Sequence, residues 1–188
     1  MQFDLSLRQR LQDGKVALRF CGEGARLAGN RRAFDKRMKK AAGYAAKKSW
    51  SKAIQEYNRA LAEFPTELPA LVGLGVAYAG AGELESARTI LQDLRSVLPE
   101  DVEVLSHLAV VEERLGDKET SVALFLEVAA LHEKQGELDR AVDVWAHVVH
   151  THPTTLEAHR KLGHAYQELG ERQKAAAAYV ALASALQA

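Results

Sequence analysis

A recurrence of the same residue types every 34 positions constrains this chain more than any other feature of its sequence. Three pairs of like residues are separated by this interval: Tyr44 and Tyr78, Ala53 and Ala87, and Pro65 and Pro99. A later segment repeats the pattern with Tyr166, Ala175 and Tyr179. Self-similarity at such a period is typical of repeat proteins, in which each unit buries its apolar face against its neighbours. The period fits two helices joined by short turns.

The spacing of apolar residues within each unit predicts amphipathic helices. Leu71, Leu74 and Tyr78 recur at three- and four-residue steps, which places them on one helical face. Glycines that can take a positive φ stand where helices should end, at Gly82, Gly116, Gly136 and Gly170. Prolines, which a helix interior does not tolerate, should follow the second helices, at Pro65, Pro99 and Pro153.

The repeat register slips once along the chain. One set of anchor residues begins near Val102, and the next begins near Val122, too early for a complete unit between them. The segment from Lys118 to Lys134 therefore serves as the second helix of one unit or as the first helix of the next. This predicts nine repeat helices rather than ten, with a local bend or widened groove near residues 116–136.

These anchors resemble the tetratricopeptide repeat family, which couples a small residue, a tyrosine, an alanine and a terminal proline. The resemblance covers about residues 34–188 and implies an all-α, right-handed α-solenoid of helix-turn-helix repeats. The units are expected near residues 34–67, 68–101, 102–135, 122–155 (overlapping) and 156–188. Four residues depart from the family pattern: Arg37 and Leu71 stand at its usual tryptophan, Glu112 at its tyrosine and Ser121 at an alanine.

Residues 1–33 form a segment outside the repeat. Apolar residues alternate on both sides of Asp13 and Gly14, a dipeptide that favours a two-residue hairpin turn. A β-hairpin is the first interpretation. A helix is the alternative, because Phe3, Leu7 and Leu11 also lie at four-residue steps.

Composition narrows the class of protein. Cys21 is the only cysteine, so no intramolecular disulfide can form, and a reducing compartment is expected. No signal-peptide core precedes the repeats, and no apolar run approaches the roughly 18 residues of a membrane span, which predicts a cytoplasmic protein without a transmembrane segment. His147, His150 and His152 are interpreted as residues of a helix end rather than metal ligands. Motifs for phosphate binding or nucleophilic catalysis are missing, so we expect neither enzymatic activity nor a cofactor or metal.

Charge is distributed unevenly. Residues 1–52 contain fourteen Lys or Arg and four acidic residues, whereas residues 53–188 contain eleven and twenty-one. The basic patch comprises Arg31, Arg32, Lys36, Arg37, Lys39, Lys40, Lys47, Lys48 and Lys52. It is either a solvated face or a site for an acidic protein, which could be a second copy of this chain, or for an anionic membrane surface. Nucleic acid is disfavoured, because aromatic or glycine-rich readout is nearly absent.

The resemblance also implies where a partner would bind. In the family, the first helix of each unit lines a concave groove, and the matching residues here are Met38, Ala42, Ala45, Val72, Val76, Ala79, Ser106, Val110 and Glu113. Most are apolar or small, which suits an amphipathic helix or apolar peptide. The family's carboxylate clamp is missing, since the matching positions hold Met38, Ala42, Gly73, Glu103 and His107.

The first functional interpretation is a protein-protein interaction adaptor or scaffold, whose groove holds a segment of another protein. The alternatives are an accessory or regulatory subunit of a larger enzyme or membrane complex, and a self-associating structural protein. The chain's own N-terminal segment is a further candidate occupant of the groove.

Overall fold

The computed structural model describes residues 30–187. Within that range the chain forms nine α-helices and no strand: α1 (Arg31–Ala46), α2 (Trp50–Glu63), α3 (Leu68–Ala81), α4 (Leu84–Val97), α5 (Val102–Leu115), α6 (Lys118–Lys134), α7 (Leu138–Thr151), α8 (Leu156–Glu168) and α9 (Arg172–Ala185). The predicted all-α fold and the count of nine helices are therefore confirmed. The hairpin predicted near Asp13 and Gly14 lies outside the described residues.

Helix α6 has the bounds predicted for the shared segment, Lys118–Lys134. At 17 residues it is the longest of the described helices. Its buried side chains include the anchors of both alternative registers: Ser121, Phe125, Val128 and Ala129. The boundaries of the repeat units, the non-repeat segment 1–33 and the bend near residues 116–136 stay predictions.

The described residues divide into two compact units, residues 30–115 and residues 116–187. The first contains α1 to α5, in which each helix packs against the next one in sequence, with additional contacts between α1 and α3 and between α3 and α5. The second contains α6 to α9, again packed in sequence order.

The helices end at or near the glycines and prolines that were predicted to terminate them. The four predicted turn glycines all have a positive φ: Gly82 (86°), Gly116 (86°), Gly136 (77°) and Gly170 (75°). In this left-handed region glycine has no steric penalty, so the chain can leave the helix at once. Helices α2, α4 and α7 end at Glu63, Val97 and Thr151, shortly before the three predicted prolines.

Small residues allow the helices to approach closely in the core. Ala41 and Ala53 are fully buried in one cluster with Tyr57, Leu74 and Ala77. In the second unit, Trp145 is the largest fully buried side chain and lies in a cluster with Ala141 and Leu162. Each unit thus has an apolar core of its own.

Two of the four departures from the family pattern, Arg37 and Glu112, are explained by polar contacts with a neighbouring helix. Arg37 lies 3.5 Å from Glu56, whose carboxylate also accepts a hydrogen bond from Arg59. Glu112 is almost fully buried; it accepts a hydrogen bond from Gln92 Nε2 at 3.2 Å, and its other oxygen lies 3.6 Å from the Arg88 guanidinium. Each unusual charged residue therefore has a charged partner, as burial of a charge requires.

None of the described helices is long and apolar enough to span a membrane.

Candidate functional site

A pocket of about 500 Å³ lies within the first unit. It is lined by Ala45 of α1, Tyr57 of α2, a stretch of α3, the turn after α4 and the first turns of α5: Ala45, Tyr57, Leu68, Pro69, Val72, Gly73, Val76, Leu98, Asp101, Glu103 and His107. Its apolar part comes mainly from α3, and its polar part from the start of α5. We call this pocket the α3–α5 groove.

The floor of the α3–α5 groove is shaped by a close contact between Tyr57 and Gly73. A Cβ added at Gly73 would lie 2.5 Å from the Tyr57 ring, so only glycine lets the ring pack against α3. Val72 and Val76 are half-buried one helical turn apart beside this contact, and both leave apolar surface to the pocket. Burial raises the pKa of the Tyr57 hydroxyl above its usual value, so it is protonated at neutral pH.

The rim of the groove is acidic. Asp101 precedes α5 and accepts a hydrogen bond from the backbone N–H of Val104 at 3.0 Å, which fixes its carboxylate at the helix N-terminus. Glu103 is exposed, and its carboxylate lies 3.9 Å from Nε2 of His107. Burial lowers the pKa of His107, and the nearby Glu103 only partly opposes this shift. At neutral pH the His107 imidazole is therefore uncharged and does not offset the negative charges of Asp101 and Glu103.

Three of the nine predicted groove residues, Ala45, Val72 and Val76, lie together in this pocket. Met38 instead packs, partly buried, against two core clusters. Ser106 Oγ donates a hydrogen bond to the Val102 carbonyl, and the remaining predicted residues, which do not line the pocket, are Ala42, Ala79, Val110 and Glu113. Binding by the full predicted set stays a prediction.

Five lining residues have no counterpart among the positions that the resemblance assigns to the groove or the clamp: Tyr57, Leu68, Pro69, Leu98 and Asp101. Tyr57 lies on a second helix, Leu98 and Asp101 lie in the turn between α4 and α5, and Leu68 and Pro69 form the first turn of α3, whereas the resemblance indicates only positions further along first helices. The signal available for Asp101 was its place just before a helical run, as an N-cap residue.

The basic patch separates into two groups. Arg31 pairs with Asp35 and Glu67, Arg37 pairs with Glu56, and the Lys52 ammonium lies 5.8 Å from the centre of the Tyr44 ring. The remaining six side chains are exposed and form no ion pair with residues 30–187: Arg32, Lys36, Lys39, Lys40, Lys47 and Lys48. Four of them recur at three- and four-residue steps along α1 and form one exposed basic stripe, namely Arg32, Lys36, Lys39 and Lys40.

The histidines do not gather into a metal site in the part of the chain that the structure describes, where no group of three or more His, Cys, Asp or Glu has a suitable arrangement. His147 instead packs edge-on against Phe125, with ring centres 4.8 Å apart, and His159 Nε2 lies 2.8 Å from the Pro153 carbonyl.

Comparison with known proteins agrees with the repeat pattern. Residues 44–111, which contain all the lining residues of the α3–α5 groove, match the tetratricopeptide repeat family, so the resemblance drawn from the sequence is confirmed there. Solved structures similar to this chain include MamA MSR-1, with a TM-score of 0.47 and 15% identity over 82% of this chain and 97% of that chain. A crystal structure of MamA protein has a TM-score of 0.48 and 17% identity over 84% of this chain and 94% of that chain. No curated protein sequence matches the chain.

The tetratricopeptide repeats support a protein-interaction scaffold in general.

Proposed function

We propose that this protein is an interaction adaptor whose α3–α5 groove binds a segment of another protein. The observation that carries the proposal is the apolar surface of Val72 and Val76 inside a pocket of about 500 Å³. Apolar side chains left accessible in a concave site gain free energy when a partner removes them from water. The groove offers a peptide this gain, together with polar groups at its rim to fix its direction. Catalysis is not part of the proposed role.

Glutamate at both Val72 and Val76 tests this assignment. The double variant should lose partner capture, because two carboxylates would have to be buried against an apolar segment. Both side chains are already partly exposed, so the helical signal in circular dichroism should be retained. The measurement is quantitative mass spectrometry of proteins captured from the native cell extract.

The matched control places glutamate at Ala176 and Val180, which are exposed and one turn apart on α9 in the second unit. This control should capture partners as the unmodified protein does. Equal capture by both double variants would show that the α3–α5 groove is not the binding surface.

A second candidate surface is the basic stripe of α1, whose exposed cations suit an acidic protein surface. The same capture experiment separates the two surfaces when it is repeated over a salt series. Exposed charge pairs are screened over about 10 Å at 0.1 M ionic strength, so a stripe-bound partner should be lost as salt rises. A groove-bound partner should persist. Self-association through the same charges would appear in light scattering of the purified protein at low salt.

A further inference from the structure

The α3–α5 groove combines an apolar floor with an acidic rim. Val72 and Val76 supply the apolar floor on α3, whereas Asp101 and Glu103 stand at the start of α5. None of the described lining residues is a lysine or arginine. A segment lying along this groove therefore meets apolar surface and negative charge in the same site.

The surrounding sequence strengthens this polarity. Residues 64–115, which provide all of the lining except Ala45 and Tyr57, contain nine Asp or Glu and only three Lys or Arg. His107 does not neutralise the rim at pH 7, because its burial disfavours the charged imidazole. The basic residues of the unit are concentrated on α1, whose exposed stripe contributes none of the lining.

We propose that the partner of the α3–α5 groove is a basic amphipathic segment. Its apolar side chains contact Val72 and Val76, and one of its lysine or arginine side chains lies beside the carboxylates of Asp101 and Glu103. This inference rests on the proposed function and names the chemistry of its partner. Pairing between a partner cation and the two rim carboxylates gives specificity and orientation, whereas the apolar floor supplies most of the affinity. A basic segment gains the rim contacts, and an acidic one is repelled by them.

The test uses the full-length protein and two synthetic, fluorescein-labelled peptides. Both peptides have the same length and the same leucines one helical turn apart. The flanking positions are lysine in one and glutamate in the other. Fluorescence anisotropy should show that the lysine peptide binds about tenfold more tightly at low salt, and the difference should shrink as salt screens the rim.

Neutral substitutions assign the preference to named carboxylates. The Asp101→Asn, Glu103→Gln double variant should lose most of the difference between the peptides, and asparagine can still cap α5. The matched control is Glu83→Gln, Glu85→Gln, which removes the same charge from exposed positions at the start of α4 and should keep the preference.

Four results would overturn the inference: equal binding of the two peptides, tighter binding of the glutamate peptide, an unchanged preference in the Asp101→Asn, Glu103→Gln variant, or binding of neither peptide. In the last case, light scattering distinguishes a second copy from the chain's own residues 1–29 as occupant, since only a second copy doubles the mass.

A further variant separates this inference from the proposed function. Val72→Gln, Val76→Gln removes apolar surface without changing charge, and it should weaken both peptides. If this variant binds both peptides more weakly, but the unmodified protein binds the two peptides equally, groove binding stands and only the basic character of the partner is refuted. If neither is weakened, the groove itself is refuted.

Discussion

Gly80 of α3 offers a sharp test of the packing described above, because it faces the indole of Trp50. A Cβ built at Gly80 would lie 2.5 Å from Cδ2 and Cε2 of Trp50, the two atoms shared by the fused rings. The whole indole must move to make room. Gly43 of α1 is the matched control, since a Cβ there meets nothing within 4 Å.

The two Gly→Ala substitutions should therefore change stability in opposite directions. Alanine in place of a helical glycine favours folding by about 0.5–1 kcal/mol, and Gly43→Ala should show this gain. At Gly80 the same gain is opposed by overpacking, which typically costs about 1–3 kcal/mol. Gly80→Ala should therefore lower the free energy of unfolding by up to about 2.5 kcal/mol. For a chain of this size each kcal/mol shifts Tm by about 2–4 °C.

Thermal and urea unfolding followed by circular dichroism measure both variants. A Trp50→Leu background identifies the cause, because Gly80→Ala should become stabilising once the indole is removed. The reasoning is refuted if Gly80→Ala stabilises the unmodified protein as much as Gly43→Ala does, or if its cost is the same in both backgrounds.

Two further predictions concern buried polar groups. Ser121→Ala should raise the free energy of unfolding by about 1 kcal/mol, because the fully buried Ser121 hydroxyl forms no hydrogen bond among the described residues. The control is Ser106→Ala, which removes a hydroxyl that does form a hydrogen bond. An equal effect of both substitutions in urea unfolding would contradict the explanation. His107→Asn should reduce the loss of stability between pH 7.5 and 5.5. Because burial lowers the pKa of His107, the unfolded chain takes up this proton first, so the stabilisation is present above the unfolded pKa of about 6.5 and is lost as pH falls below it through the lower folded pKa. Identical pH profiles of the urea midpoint in the variant and the unmodified protein would exclude that role.

The helices were predictable from sequence because their signals are local. Apolar spacing, turn glycines and terminal prolines act within one or two turns of the chain, and even the slipped register at Lys118–Lys134 was visible as a change in spacing. The contact between Gly73 and Tyr57 was not predictable in this way. It depends on how closely two helices approach, and a glycine within a helix gives no sign of which ring it faces.

The candidate site was predictable only in part for a related reason. Position within the repeat identified Ala45, Val72 and Val76, but it treated first helices as equivalent from unit to unit. The structure shows that they differ: Met38, at the position equivalent to Val72, packs against two core clusters and does not line the groove. The acidic rim of the groove depends on Asp101 in a turn, where the repeat pattern makes no assignment.

The packing order of the helices has a consequence for how the chain is made. Within each unit, helices contact those that are adjacent or next-but-one in sequence, so the stabilising contacts close short loops. Such contacts cost little chain entropy to form and favour rapid folding. A ribosome that releases the helices in order can thus let each one pack on its predecessor soon after it emerges. Little apolar surface then stays exposed until a segment distant in sequence is synthesised, which limits the time in which nascent chains can aggregate.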